Sequence, residues 1–299
     1  MRNGMLLLFL ALTLIATAAS GEGLRDRLKA RMQAGIQSRT EGMNEAQIAG
    51  LSVSYWLPDK SAYPAPLVLF SHGMNGCKTQ SVFLMKAMAQ HGYVVVAPDH
   101  KDALCGDGGE MSKSAHLPEE KFPDYTSWTD QTYRNRAEDI KNLYDALKVD
   151  PVFAGRIDWE RVALSGHSLG GYTVLGMEGG WESWKMPGIK AVLALSPFAG
   201  PFVARGNLAQ MDVPVMYQSG TRDLGVLPSL KKKGGGFDQT PSPAWFVVFE
   251  KTGHFGFTDL QQKSQQGIID YSLWFLDHTL NGSIAPLPKK SGVAALEEK

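Results

Sequence analysis

Ser168 sits where a nucleophile would be presented. Within "ALSGHSLGGYTV", Ala163 to Val174, it stands between two glycines at the end of an apolar run and the start of a helical pattern. Gly166-His167-Ser168-Leu169-Gly170 fits G-x-S-x-G, a motif that needs a strand-to-helix junction of this kind. A sharp turn there strains the serine backbone, and side chains two residues to either side would collide. Gly171 leaves room for the following helix to close on the sheet. The plainer reading is a glycine-rich turn holding an incidental serine. The rest of the chain must therefore be searched for a base to take the hydroxyl proton and an acid to orient that base.

Downstream of Ser168 the histidines are His254 and His278. His254 lies in "KTGHFGFTD", a glycine-bounded loop after a strand-like run, whereas His278 falls inside an amphipathic helix pattern. His254 is the expected base. With the order serine, acid, histidine, the acid belongs in a loop between them, and Asp223 follows "VPVMYQSG" directly. Asp212 precedes that strand, at its wrong end. Asp238 lies deep in a glycine-rich loop, Glu250 ends the next strand, and Asp259 comes after the histidine. Asp223 is thus the expected acid, with a simple turn carboxylate as the other reading. Upstream, "FSHGMNG" (Phe70–Gly76) follows an apolar strand and matches an oxyanion-type loop. The backbone N–H groups of Met74 and Leu169 are the expected donors to a developing negative charge. His72 reads as a residue that organises this loop.

Positioning these residues requires a particular scaffold. "IAGLSVSYWL" (Ile48–Leu57) predicts a strand, and "APLVLFSH" and "YVVVAPDH" predict buried ones. Ser81–Gln90 predicts a helix stopped by Gly92. Tyr133, Ala137, Ile140, Tyr144 and Leu147 recur at helical spacing, with Arg, Asp, Glu and Lys assigned to the opposite, solvated face. "RVALSGH", "IKAVLALS", "VPVMYQSG" and "AWFVVFE" follow as strands, separated by helical stretches and ending with a helix over Gln261–Leu280. Short β-branched runs alternating with helices imply a mostly parallel, doubly wound sheet in one domain. Two long connections, Lys101–Trp128 and Thr221–Ala244, leave the carboxyl ends of strands, where open α/β sheets bind ligands. Trp128, Trp181 and Trp184 are candidates for pocket walls or for ordinary packing, and "KKKGGG" (Lys231–Gly236) for a solvated turn.

The chain has 299 residues, 43% of them hydrophobic, and 30 basic against 30 acidic residues. That balance offers no broad basic surface for nucleic acid. Arg2 and the apolar run Met5–Ala16, followed by "ATA", predict a signal peptide over residues 1–18 and hence a secreted or periplasmic protein; an uncleaved anchor is the alternative. In an oxidising compartment Cys77 and Cys105 are expected to form a disulfide. Residues 19–45 predict an amphipathic segment, packed on the domain or touching a membrane surface. The hydrolytic domain is expected over 46–283 and a flexible tail over 284–299.

"PLVLFSHGMNG", "HGYVVVAPDHKD", "RAEDIKNLYDAL" and "IDWERVALSGHSLGGYTVL" resemble the α/β-hydrolase superfamily. The likeness covers roughly Leu51 to Leu280 and is similar in order and spacing to the platelet-activating-factor acetylhydrolase and dienelactone-hydrolase-like branch. It implies an α/β-hydrolase fold and a serine carboxylic ester hydrolase with no metal or organic cofactor, acting on a small-molecule or lipid-like ester. Two departures stand out. The acetylhydrolases carry their acid after the strand that follows the nucleophile helix, where this chain reads "ALSPFAGPF" with Ser196 and no carboxylate. Dienelactone hydrolases use a cysteine where this chain has Ser168. A cutinase-like polyester hydrolase, an amidase or peptidase, and a non-catalytic binding protein of the same fold are the competing readings.

Overall fold

The computed structural model describes residues 41–58, 63–104 and 116–299. From Gly42 onward they build around one nine-stranded sheet. β1 (Met43–Ile48) and β2 (Leu51–Trp56) form an antiparallel hairpin. Ala49 and Gly50 turn it at φ 53° and 78°, the left-handed pair that a two-residue hairpin loop needs. The single strand expected over Ile48–Leu57 is corrected to this hairpin, because alanine does not announce such a turn. The amphipathic segment expected over 19–45 is corrected at its end, where Met43, Asn44 and Glu45 pair with Trp56, Tyr55 and Ser54. Its part before residue 41, the expected signal peptide and Cys105 lie outside the described residues.

Six parallel strands form the centre, in the order β4-β3-β5-β6-β7-β8. They are β3 (Ala65–Ser71), β4 (Val94–Pro98), β5 (Ile157–His167), β6 (Ile189–Leu195), β7 (Val215–Gly220) and β8 (Ala244–Phe249). Every residue of β3 and β4 is buried, as continuous apolar runs covered on both faces should be. Among the described residues the α-helices are α1 (Val82–Gln90), α2 (Arg134–Val149), α3 (Leu169–Leu175), α4 (Gly200–Arg205), α5 (Leu227–Lys231), α6 (Gly236–Gln239) and α7 (Gln265–Leu280). On one face Val68, Phe70 and Leu193 pack with Leu84 of α1 and Phe275 of α7. On the other, Leu67, Leu69 and Leu164 pack with Ile140 of α2 and Tyr172 of α3. Alternate residues of the same strands serve the two layers, which is the period-two geometry of a strand.

The expected flexible tail over 284–299 is also corrected. β9 (Val293–Glu298) pairs antiparallel with β8, from Trp245 opposite Glu298 to Phe249 opposite Val293. "VAALEE" has little strand propensity of its own, and the exposed edge of β8 supplies the partner that makes it a strand. Lys231–Gly236, expected as a solvated turn, joins α5 to α6 with Lys231 to Gly234 exposed as expected, and only its end departs, where Gly235 and Gly236 are buried, Gly236 against Leu230. The chain steps from β3 to β4 on one side and later to β5 on the other. The carboxyl ends of β3 and β5 therefore flank the point where strand order reverses, the place where such sheets leave a crevice.

Candidate active site

Ser168 occupies the tip between β5 and α3 at φ 56°, ψ −114°, a strained region for a residue with a side chain. The turn closes only because its flanks are glycine. A Cβ on Gly170 would lie 1.9 Å from the Ser71 carbonyl oxygen, and one on Gly166 would lie 2.3 Å from the Gly170 carbonyl oxygen. Two further loops converge on the serine. Ser168 Oγ donates to His254 Nε2 at 2.8 Å, from the turn after β8. His254 Nδ1 in turn donates to Asp223 Oδ2 at 2.7 Å, from the turn after β7. The three residues singled out in the sequence thus form one continuous hydrogen-bonded line. Burial by itself would raise the Asp223 pKa; the bond and charge of His254 and the hydroxyl of Ser196 outweigh it and hold the carboxyl below its usual range.

The two expected N–H donors are aimed by their own carbonyls. In a trans peptide the N–H points opposite to the C=O. The Gly73 carbonyl accepts from His72 Nδ1 at 2.7 Å, Gly76 N–H at 3.0 Å and Arg136 Nη2 at 3.3 Å, so Met74 N–H faces the other way. The Ser168 carbonyl accepts from Tyr172 and Phe198 N–H at 3.0 and 2.9 Å, which turns Leu169 N–H away from both. Neither N–H meets a protein acceptor among the described residues.

Arg136 is the largest site residue that the sequence reading missed. Assigned to the solvated face of α2, it is fully buried. Its guanidinium donates to both Asp102 carboxylate oxygens at 2.9 Å, to the His72 carbonyl at 2.7 Å and to the Gly73 carbonyl. Asp102 also accepts from Asn75 N–H at 3.1 Å, so the ion pair grips the loop on both sides of Met74. Burial would raise the Asp102 pKa, but Arg136 brings it down to about 2. His72 donates through Nδ1 and accepts the His100 N–H on Nε2 at 3.0 Å, which defines its neutral tautomer. Burial, reinforced by the Arg136 charge, pushes both His72 and His100 well below the usual histidine range. His72 is the loop organiser expected, and it works with a buried arginine.

A second set of contacts ties the His254 loop to the turn of Ser168. His167, inside the G-x-S-x-G motif, donates through Nε2 to the His254 carbonyl at 3.0 Å and accepts from Gln80 Nε2 on Nδ1 at 3.0 Å. Gln80 Oε1 accepts from Gly73 N–H. Burial first, and the neighbouring His254 second, bring the His167 pKa down to about 3, so it acts as a neutral bridge. Asp259, set aside as the acid, accepts from Val82 and Phe83 N–H at 3.1 Å and caps α1 from the loop of His254.

A cavity of about 640 Å³ opens over Ser168, lined by Met74, Phe122, Phe198, Leu224 and Phe255 and also by Arg222. The tryptophans do not line it, so their reading as walls is corrected to packing. Trp128 is fully buried, with its ring 4.9 Å from Phe198 and 5.5 Å from Phe122. Trp181 and Trp184 pack around Tyr172. Phe122 and Phe198, which no motif marked, stand in front. Cys77 is buried in the loop after β3. Among the described residues no three His, Cys, Asp or Glu side chains are arranged to hold a metal ion, and no helix is long and apolar enough to cross a membrane.

Residues 44–219 match the family model described as Chlorophyllase. The chain belongs to the Chlorophyllase family. Membership agrees with the α/β-hydrolase fold and its mostly parallel sheet. The matched span holds the Met74 loop, Arg136, Ser168 and Ser196, and it ends before Asp223 and His254. The chain is also 29% identical over 138 residues to the sn-1-specific diacylglycerol lipase ABHD11 of Mus musculus, over 46% of this chain and 36% of that protein. It is 25% identical over 144 residues to the platelet-activating factor acetylhydrolase of Cavia porcellus, over 40% of this chain and 33% of that protein. This Chlorophyllase-family chain spans about a third of the length of these curated relatives.

Proposed function

We propose that this protein is a serine carboxylic ester hydrolase that works through an acyl-enzyme. The observation that carries the reading is the unbroken line Ser168 Oγ to His254 Nε2 and His254 Nδ1 to Asp223 Oδ2, beside two backbone N–H groups with no protein acceptor among the described residues. Ser168 Oγ attacks the ester carbonyl as its proton passes to His254 Nε2. Asp223 steadies the resulting imidazolium, and Met74 and Leu169 N–H receive the negative oxygen of the tetrahedral intermediate. Collapse breaks the bond to the alcohol, which leaves with the proton from His254. Water, activated by the same histidine, then attacks the acyl-serine and releases the acid.

The apolar lining favours a lipid-like ester. Phe122, Phe198 and Met74 offer no charge to pair with a polar acyl chain. Leu224 and Phe255, at 78% and 54% exposure, give the mouth an apolar lip suited to a lipid-like substrate or transient contact with a membrane surface. The curated relatives are by name a diacylglycerol lipase and an acetylhydrolase, which points the same way. We place the protein outside the cytoplasm on the strength of the amino-terminal apolar run, and pair Cys77 with Cys105 across the start of the long loop that follows β4.

The test is labelling and turnover together. A fluorophosphonate should label wild type, fail on Ser168→Ala and react far more slowly with His254→Ala. A series of p-nitrophenyl esters of increasing acyl length, set beside the matching anilides, should show ester turnover dominating. Equal labelling of all three proteins, or anilide cleavage matching ester cleavage, sinks the proposal.

A further inference from the structure

The acid of the site has one partner that the mechanism above does not use. Ser196 follows β6, is fully buried, and its hydroxyl donates to Asp223 Oδ2, the same oxygen that receives His254 Nδ1–H. Among the described residues no other donor reaches the Asp223 carboxylate. A carboxylate held by several backbone N–H groups would barely notice the loss of one; this one rests on a histidine and a serine. Ser196 itself is at φ 43°, a conformation costly for any residue with a side chain. Its N–H donates to the Gln218 carbonyl on β7 at 2.6 Å, which fixes the strained residue between the strand of the acid and the strand beside the nucleophile.

The next two residues extend the reach of this turn. Pro197 lies against Gly171, where a Cβ would come within 2.4 Å of the Pro197 Cβ. Phe198 N–H donates to the Ser168 carbonyl at 2.9 Å, and its ring lines the cavity. One tripeptide therefore touches the acid, the peptide that aims Leu169 N–H, and the substrate cavity. Strain kept at a turn with these contacts is a hypothesis of function with a stated geometry.

We propose that Ser196 is a positioning residue: its hydroxyl holds the Asp223 carboxylate in the rotamer that orients His254, and its strained backbone aligns Phe198 with the nucleophile turn. The proposal rests on the ester-hydrolase reading of the site. Asp223 faces His254 and His167 as its titratable neighbours, with Ser196 as the neutral one. Removing the hydroxyl withdraws a donor that favours the charged carboxylate, so on acidification activity should be lost at a higher pH.

The experiment compares Ser196→Ala and Ser196→Gly with wild type in kcat, KM and pH profile on a short-acyl p-nitrophenyl ester, with thermal unfolding alongside. Both variants lack the hydroxyl, but glycine accepts φ 43° without strain. The expected result is a fall in kcat of about tenfold in both, KM within about twofold, and an acidic limb displaced upward, with Ser196→Gly unfolding no lower than Ser196→Ala. Unchanged kcat and pH profile in both variants overturns the proposal while leaving the ester-hydrolase reading intact. A kcat loss confined to Ser196→Ala and absent in Ser196→Gly overturns it too, because the hydroxyl would then be irrelevant. If wild type itself turns over no ester and takes no fluorophosphonate, the ester-hydrolase reading has failed instead.

Discussion

The loop that carries Met74 and the loop that carries His254 reach the same serine but are held by opposite chemistry. Behind Met74 stands a buried ion pair, Arg136 with Asp102, and a neutral histidine pair. His254 is held by a neutral bridge and two carboxylates: His167 bonds its carbonyl, Asp223, steadied by Ser196, bonds its ring, and Asp259 ties its loop to the start of α1. In the proposed mechanism the first loop has to keep one peptide fixed while charge appears beside it, and a buried guanidinium that grips two carbonyls does that. In the same mechanism the second has to let an imidazole gain and lose a proton. A buried fixed cation beside that imidazole would oppose each protonation.

The largest expected effect tests the second region. Asp223→Asn keeps the shape of the acid but removes its charge, and kcat should fall by about 10³–10⁴-fold with the unfolding temperature almost unchanged. The two properties should trade places in the first region. Arg136→Leu leaves Asp102 buried without its partner and should cost about 3–5 kcal/mol of stability, read by urea unfolding. The double variant Arg136→Leu/Asp102→Leu should recover most of that stability yet remain slow, because the His72 carbonyl and Asn75 N–H then lose the partners that hold the loop on either side of Met74, and the Gly73 carbonyl keeps only His72 Nδ1 and Gly76 N–H. A double variant that regains both stability and kcat would show that the Met74 peptide needs no anchor.

Acid should separate the regions further. Asp102 is held down to about 2, against an ordinary aspartate near 3.9. A depressed folded-state pKa contributes stability that is complete above about pH 4 and disappears as pH falls toward 2, here about 2–3 kcal/mol. Asp139, raised to about 6 chiefly by burial, acts with the opposite sign, and its contribution is lost as pH rises from about 4 to 6. Stability followed by circular dichroism should therefore fall steeply below pH 4 in wild type. In Asp102→Asn, less stable at neutral pH, the slope between pH 4 and 2 should flatten.

How far the sequence could be read follows the same division. The parallel strands, the G-x-S-x-G turn and the order Ser168, Asp223, His254 were legible because each is written in a short contiguous stretch. The anchor of the Met74 loop was not, although a signal existed: Tyr133, Arg136, Ile140, Leu143 and Leu147 share one helical stripe, so position 136 falls on the buried face. Charge alone sent Arg136 to the surface. β9 and the β1–β2 turn escaped for another reason, since "VAALEE" and Ala49 depend on a partner strand for their conformation. Phe122 and Phe198 were passed over for tryptophans because a wall residue is defined by what stands behind it, and that is set by tertiary packing.

The smallest effect concerns Asp259, which carries no chemistry and yet joins the two regions. Ser81 precedes α1 but its side chain makes no cap; Ser81 Oγ donates to the Phe257 carbonyl instead. The first free N–H groups of α1, at Val82 and Phe83, are met by Asp259 from the loop of His254, and Asp259 N–H returns to the Gln80 carbonyl. Gln80 bonds both Gly73 N–H and His167, so this cap lies one residue from the bridge between the Met74 loop and the His254 loop. Asp259→Ala should cost about 1–2 kcal/mol, the scale of a lost helix cap that is also a charge at a helix N-terminus. If the loops are coupled through Gln80, kcat should fall by a few-fold, on the order of what a slight misplacement of a catalytic group costs. Asp259→Asn, which keeps one acceptor oxygen, should recover part of both losses. A stability loss with kcat untouched would mean that the base loop is held by His167 and Asp223 alone, and that α1 serves the two regions separately.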